Sequence, residues 1–481
     1  MKRAYYILML SLALPAWGVA QETQGAQPFT LEQCIQYALE NSNTIKNAKL
    51  GEQIANSRVK ETRGIGFPQI DATAGIQHNQ KLRRFFGRNT NDSTQFSFFQ
   101  NVPGAAEGDV VSGQNFFQLK SGGDAGLNIT QILFNGSYLV GLQAANAYRE
   151  LSVKQTQQTK EEVVQAVTKS YYGALINTER MKLFDTNIAR FDSLLRTTKA
   201  MNQNGFVEAI DVDRIQVALN NLNAEREKFR NLQELSVELL KFQMNYPMDG
   251  EISLLGTLDE IVIPENLAQY EANWDLATRS DYQVLMANKR LQLLNIKNNY
   301  ASGMPSLVAM ANLGYATQSP DVAGIFRTES TGVADDGVFG PDKWYSYSTF
   351  GISLNIPIFS GLQRTYRLQQ AKLSLQQIDN GVNTLKSSIA LETKSTGKVY
   401  ENSLKTLVSQ KENMKLAENV ARVTKIKYEQ GVGSNIEVID AESSLKEAQI
   451  NYYNALFDAL IAKVDLDKAY GKLNPQTTTE K

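Results

Sequence analysis

The stretch from Gly431 to Leu473 constrains this chain most, because it is a turn followed by a long helix whose apolar residues fall into two seams. At a spacing of seven, Ile436, Ser443, Ile450, Phe457 and Val464 form one column, with Ile439, Lys446, Tyr453 and Leu460 three residues further on. A second seam runs through Val438, Leu445, Tyr452, Ala459 and Leu466, paired with Ala441, Ala448, Ala455, Ala462 and Ala469. At roughly 100° per residue the seams lie on nearly opposite sides, so the helix is gripped by a neighbour on each side, like a stave in a wall. Two polar strips separate them. One carries Glu437, Asp440, Ser444, Glu447, Asn451, Asn454 and Asp458; the other carries Glu442, Gln449, Leu456 and Lys463. Two wetted faces, one of them acidic, point to a tube with water inside. The plainer alternative is an ordinary bundle helix or coiled coil, which shows one apolar stripe.

Composition narrows the function classes. The net charge of −1 excludes nucleic-acid binding by bulk electrostatics. One cysteine, Cys34, and one histidine, His78, exclude an intrachain disulfide framework and any Cys/His metal cluster. Residues 1–20 have Lys2 and Arg3, an apolar run, then Gly18 and Ala20, which reads as a secretory signal peptide cut after Ala20. Cys34 follows Leu31-Glu32-Gln33, which lacks the small residues of a lipid-attachment site. Beyond the signal no apolar run reaches about 18 residues, so a membrane is entered, if at all, as β-structure.

Along the chain, residues 29–62 read as one helix with Thr30 as N-cap and Gln33 completing a capping box. Residues 69–78 alternate as a half-buried strand, 79–114 read as a long exposed loop without periodicity, and a second strand fills about 115–133. A long helix covers 137–201 and ends at Gly205; another covers 209–245, stopped by Pro247. Residues 247–271 form an irregular connector. The order then recurs: helix 272–300, strand 306–317, Gly/Asp-rich loop 318–343, strand 344–358, helix 362–430, the turn at Gly431 and the stave helix. Gly361 lies 225 residues after Gly136, and Gly431 lies 226 after Gly205. Phe134-Asn135-Gly136 matches Phe359-Ser360-Gly361, which marks an internal duplication: a first repeat over 21–246, a second over 272–473, and a polar tail at 474–481.

The helix at 362–430 spans roughly 100 Å at ~1.5 Å per residue, which nothing globular needs. The strands are long enough to cross a bilayer, and they alternate small or apolar side chains with polar ones. Phe116, Phe117, Trp344, Tyr345 and Tyr347 gather at strand ends, as interfacial girdles or through aromatic strand propensity. Four strands cannot close a barrel, since the smallest membrane barrels have about eight, so several chains are required. Three copies supply about 12 strands.

FTLEQCIQYALENS at 29–42, Gly66-Phe67-Pro68, LNITQILFNG at 127–136, LNIPIFSGLQR at 354–364 and YEQGVGSNIEVIDAESSLKEAQINYYNA at 428–455 carry a resemblance over essentially the whole mature sequence. The chain resembles the TolC-type outer-membrane efflux proteins. The resemblance implies a mainly α fold with a small transmembrane β part: a homotrimer with a 12-strand β-barrel in the outer membrane of a Gram-negative bacterium, continued by a 12-helix α-barrel across the periplasm. It implies a passive channel of a tripartite efflux or type I secretion system. Its partners would be outer-membrane lipid, a periplasmic adaptor (membrane fusion) protein and an inner-membrane pump of RND or ABC type. No cofactor, metal, catalytic residue or nucleic acid is implied.

Two helical turns, at Gly205 and Gly431, are expected at the periplasmic tip. In the family the second carries acidic residues around the narrowest point, and Glu437 and Asp440 hold those positions. Ser434-x-x-Glu437 is also a capping box. Stepping back 226 residues places Asp211 and Arg214 at the matching sites, and Arg214 is expected to pair with Asp440 or Glu437 and hold the tip shut. Some relatives have a basic residue inside the second turn, where this chain has Gly433 and Asn435. Gly205, Gly431 and Gly433 are the candidate adaptor-docking turns. No enzyme constellation is present: His78 sits at a strand end without a nucleophile pattern, and the Gly-x-Gly pairs lack a phosphate-loop context. The rival reading is a trimeric exported coiled-coil structural or adhesion protein.

Overall fold

Thr30 starts the first helix by a reciprocal cap. Its amide donates to Gln33 Oε1 at 2.8 Å, and the Gln33 amide donates to Thr30 Oγ1 at 3.3 Å. The computed structural model describes residues 27–94, 96–115, 118–256, 270, 274–327 and 344–473. The expected signal at 1–20, Phe116, Phe117, most of the loop at 318–343 and the tail at 474–481 lie outside the described residues.

The chain divides into two compact units: one comprises the residues up to Gly51, Val153–Val284 and those from Val382 on, the other Glu52–Ser152 and Leu285–Gly381. In the first, β1 (Gln27–Phe29) pairs in parallel with β6 (Ile252–Leu254). The single helix expected over 29–62 is two, α1 (Leu31–Asn41) and α2 (Asn43–Gly64), broken at Ser42, whose ψ of 127° leaves the helical range. Side chains explain the break. Asn43 donates to Asn245 Oδ1 at 3.1 Å, and Asn245 Nδ2 returns a bond to the Asn41 carbonyl at 3.2 Å.

α3 (Gly136–Gln203) and α4 (Ala209–Met244) follow as expected, and α4 ends at Asn245 in the left-handed conformation. The helix expected over 272–300 is shorter, α5 (Ser280–Ala301), preceded by a 3-10 turn at Leu276–Thr278 that Asp275 caps. α6 (Gln363–Glu429) has 67 residues, and α7 (Asn435–Ala469) is the stave helix. Two apolar clusters in the first unit join α1, α3, α4, α6 and α7. One gathers Cys34, Tyr171, Ile176, Leu240 and Leu460; the other gathers Phe184, Phe191, Ile215, Tyr428 and Val438.

The second unit carries an antiparallel sheet ordered β2 (Gln69–His78), β5 (Ser121–Asn135), β7 (Ser306–Ser319) and β8 (Tyr345–Asn355). β8 stops two residues short of Pro357, which has no amide to donate. The loop expected at 79–114 is not featureless, for β3 (Phe85–Arg88) pairs with β4 (Val110–Gly113) as a hairpin. Glycine makes this possible: a Cβ on Gly87 or Gly113 would stand 2.6 or 2.8 Å from the Phe99 ring that packs there.

Candidate functional site

The sheet has two chemically distinct faces. Register places Ile70 opposite Ile129, Ala72 opposite Leu127, Leu127 opposite Leu313, Ala311 opposite Phe350 and Ala309 opposite Ile352, so one face is apolar across all four strands. The other face carries Asp71, Thr73, Asn128, Asn312, Thr349 and Ser353. The apolar face is uncovered among the described residues, with Phe350 74% and Ile352 70% exposed. β2 and β8 have no outer strand among the described residues. The half-buried strand expected at 69–78 is therefore exposed along nearly its whole length. Of the expected girdle aromatics, Trp344 donates from Nε1 to the Ile325 carbonyl at 2.9 Å, and Tyr347 is exposed.

Both turns close in the same way. After α3, the Gly205 amide donates to the Asn202 carbonyl and that of Phe206 to Met201, each at 2.9 Å; after α6, Gly431 donates to Tyr428 and Val432 to Lys427, each at 3.0 Å. This is the Schellman pattern, which needs a left-handed residue, and Gly205 and Gly431 have φ of 81° and 74°. Gly433 serves differently: a Cβ there would lie 3.0 Å from the Tyr428 amide nitrogen.

Ser434 caps α7 by accepting from the Glu437 amide at 3.3 Å. Glu437 and Asp440 stand exposed, as does the rest of their strip through Ser444, Glu447, Asn451, Asn454 and Asp458. Arg214 pairs with neither of them within the chain. It reaches Asp211 Oδ1 at 3.5 Å, because three residues along one helix bring the two together. Asp211 is further engaged by Asn435, whose Nδ2 donates to its main-chain oxygen at 2.8 Å and to Oδ1 at 3.3 Å.

The second polar strip corrects the expectation of two wetted faces. Glu442, Gln449 and Leu456 are buried, because α3 supplies partners: Arg190 Nη1 lies 3.5 Å from Glu442 Oε2, and Asn187 donates to Gln449 Oε1 at 3.1 Å. Tyr428 shares a 2.9 Å bond with Thr198 in the same row. Burial pushes the Glu442 carboxyl above its ordinary range, and the charges of Arg190 and Lys425 pull it part of the way back. The periodicity left no sign of this row, since a buried carboxylate and a wet one are the same letter. Of the two seams, Val438, Ala441, Leu445, Ala459 and Leu466 are buried, whereas Ile436 and Ser443 of the other remain exposed. There a groove of about 620 Å³ opens between α4 and α7, lined among others by Ile210, Val217, Ile436, Ile439, Arg214 and Lys446.

Among the described residues no helix is long and apolar enough to cross a membrane, and no group of His, Cys, Asp and Glu is placed to hold a metal ion. His78 Nδ1 lies 2.8 Å from Ser121 Oγ at the strand end.

An exposed two-faced sheet joined to helices of nearly seventy residues defines the fold of TolC-like outer-membrane channels. The chain matches the model of the outer membrane efflux protein family over residues 34–244 and 276–472, and it belongs to that family. It is an outer-membrane protein of a Gram-negative bacterium. It is 22% identical to the outer membrane protein TolC of Vibrio cholerae over 451 residues, 93% of this chain and 91% of that one. It is 22% identical to the probable efflux pump outer membrane protein TtgC of Pseudomonas putida over 467 residues, 94% of this chain and 86% of that one. The Campylobacter jejuni CmeC outer membrane channel shares the fold with a TM-score of 0.67, at 16% identity, over 93% of this chain and 86% of that chain.

Proposed function

We propose that the chain is the passive outer-membrane channel of a tripartite efflux or type I secretion system, working as a homotrimer. The observation that carries this reading is the four-stranded sheet, apolar on one face and polar on the other, with the outer edges of β2 and β8 free among the described residues. A sheet with two free edges and an uncovered apolar face is satisfied when copies join edge to edge with that face toward lipid. Three copies give a 12-strand β-barrel lined by the polar face, continued by a 12-helix α-barrel across the periplasm. Two repeats, 21–246 and 272–473, each supply two strands and the helices that follow. The left-handed glycines that end α3 and α6 support that correspondence. Gly136 and Gly361 differ locally, since only Gly361, with φ of 60°, is left-handed.

In this reading Glu437 and Asp440 face the axis at the periplasmic end, where three copies place six carboxylates and favour cations. Asp211 and Arg214 brace that end from α4. The turns at Gly205, Gly431 and Gly433, with the groove beside them, receive a helical hairpin of a periplasmic adaptor. Energy comes from an inner-membrane pump of RND or ABC type, the channel itself being passive. The test is twofold. Outer-membrane extracts should yield a heat-modifiable trimer that conducts in planar bilayers, and deletion should sensitise cells to exported compounds. A soluble monomer without conductance would overturn the reading.

A further inference from the structure

We propose that the β3–β4 hairpin is a membrane-surface anchor, seating on the phosphorylated glycolipids of the outer leaflet. The proposal rests on the channel reading above, which sets the sheet in the bilayer. α2, α3, α5 and α6 all join the sheet at one end, where β2 and β7 begin and β5 and β8 finish; the hairpin belongs to the connection at the other end. With the helices in the periplasm, the hairpin is outside the cell.

Alternation puts Phe86 and Arg88 on one face, and register sets Ser112 opposite Phe86 and Val110 opposite Arg88; Arg84, just before the strand, joins that face by donating to Ser112 Oγ at 3.4 Å. Phe86 is 71% and Val110 68% exposed. The reverse face is a small fixed core, where the Phe85 and Phe99 rings lie 5.0 Å apart over Gly87 and Gly113. Phe86 is thus held outward by the pleat. Phe96, 88% exposed, stacks edge-on against Phe98 on the same connection. The same connection carries Lys81, Arg83, Arg84 and Arg88, four exposed cations within eight residues, none in an ion pair among the described residues. Asp92 and Asp109 are engaged locally, by Thr94 and by the Ala106 amide.

Exposed rings bordered by arginines match the boundary of a bilayer, where the ring enters the acyl edge and the cation meets the headgroup. Planar guanidinium groups suit phosphate, which they bind with two parallel hydrogen bonds. Charge complementarity favours the anionic sugar phosphates of the outer leaflet. Continuity does as well, because the hairpin grows from the strands whose apolar face includes Ile76 and Leu127.

The test uses the full-length protein purified in detergent and titrated with bisphosphorylated lipid A, or with lipid A stripped of both phosphates. Wild type should bind the phosphorylated form on the order of tenfold more tightly, and Arg84→Gln with Arg88→Gln should remove that preference. Phe86→Ser should weaken both lipids alike, several-fold, and it carries the test if the arginine variant does not assemble. Inorganic phosphate at equal concentration should displace neither lipid; displacement would mark a simple anion site and overturn the anchor. Unchanged lipid binding in a variant that still forms heat-modifiable trimers would overturn the anchor alone. Wild-type protein absent from the outer membrane would instead overturn the channel reading.

Discussion

Asn435 at the start of α7 holds Asp211 at the start of α4 by two bonds from one amide group, at 2.8 and 3.3 Å. The two turns of the chain are thereby tied through a side chain that is 4% exposed. Asn435→Ala removes both bonds to Asp211, whose main-chain oxygen keeps its helical donor, at a cost of about 0.5–1.5 kcal/mol. Hydrogen exchange should quicken at the first amides of α4 and α7, and closed-state conductance should rise. Unaltered exchange there would refute the tie.

Glu442 sets a pH dependence whose sign follows from burial. Its carboxyl is raised in the folded chain above the ordinary 4.5, so the folded state holds the proton longer than the unfolded one. That contribution is fully present below about pH 4.5 and is lost as pH rises through the higher folded value. Glu442→Gln should flatten the fall in stability over that interval in a chemical unfolding series. Arg190→Ala removes the cation 3.5 Å away and should destabilise by about 3 kcal/mol near neutral pH.

Gly205 and Gly431 are left-handed with open space where a Cβ would stand, so alanine there meets only backbone strain, about 1–2 kcal/mol. Gly141, inside α3 with equally open space, should respond oppositely to alanine, gaining about 0.5–1 kcal/mol. Thermal denaturation of the three single variants checks the contrast, which disappears if the turns are not under this constraint.

Neighbouring residues of β8 should differ in tolerance. Phe350→Lys charges the apolar face and should cost about 2–4 kcal/mol in lipid, while Thr349→Lys charges the polar face at little cost. The yield of heat-modifiable trimer in outer-membrane fractions separates them. Equal yields would contradict lipid on the apolar side.

Cys34 is fully buried beside Tyr171, and burial, reinforced by the charge of Glu32, pushes its thiol up to about 12. At pH 8 the reactive thiolate is then on the order of one in ten thousand. A thiol reagent should label the native chain negligibly and the denatured chain at once; rapid labelling of native protein would show that this core opens.

Chain order, the capping box at Thr30, the strand at 69–78, both long helices and the glycine turns were legible in the sequence. Each rests on local chemistry: periodicity, cap side chains, and residues that tolerate a left-handed backbone. Tertiary structure alone decided the rest, because it depends on what a distant segment brings. The break at Ser42 follows from Asn245, 203 residues away in sequence. The dry face of α7 follows from Arg190 and Asn187 on α3, and Asp211 is held by Asn435 from the other turn. A sequence records which side chains can bond; only the packed chain determines which of them meet.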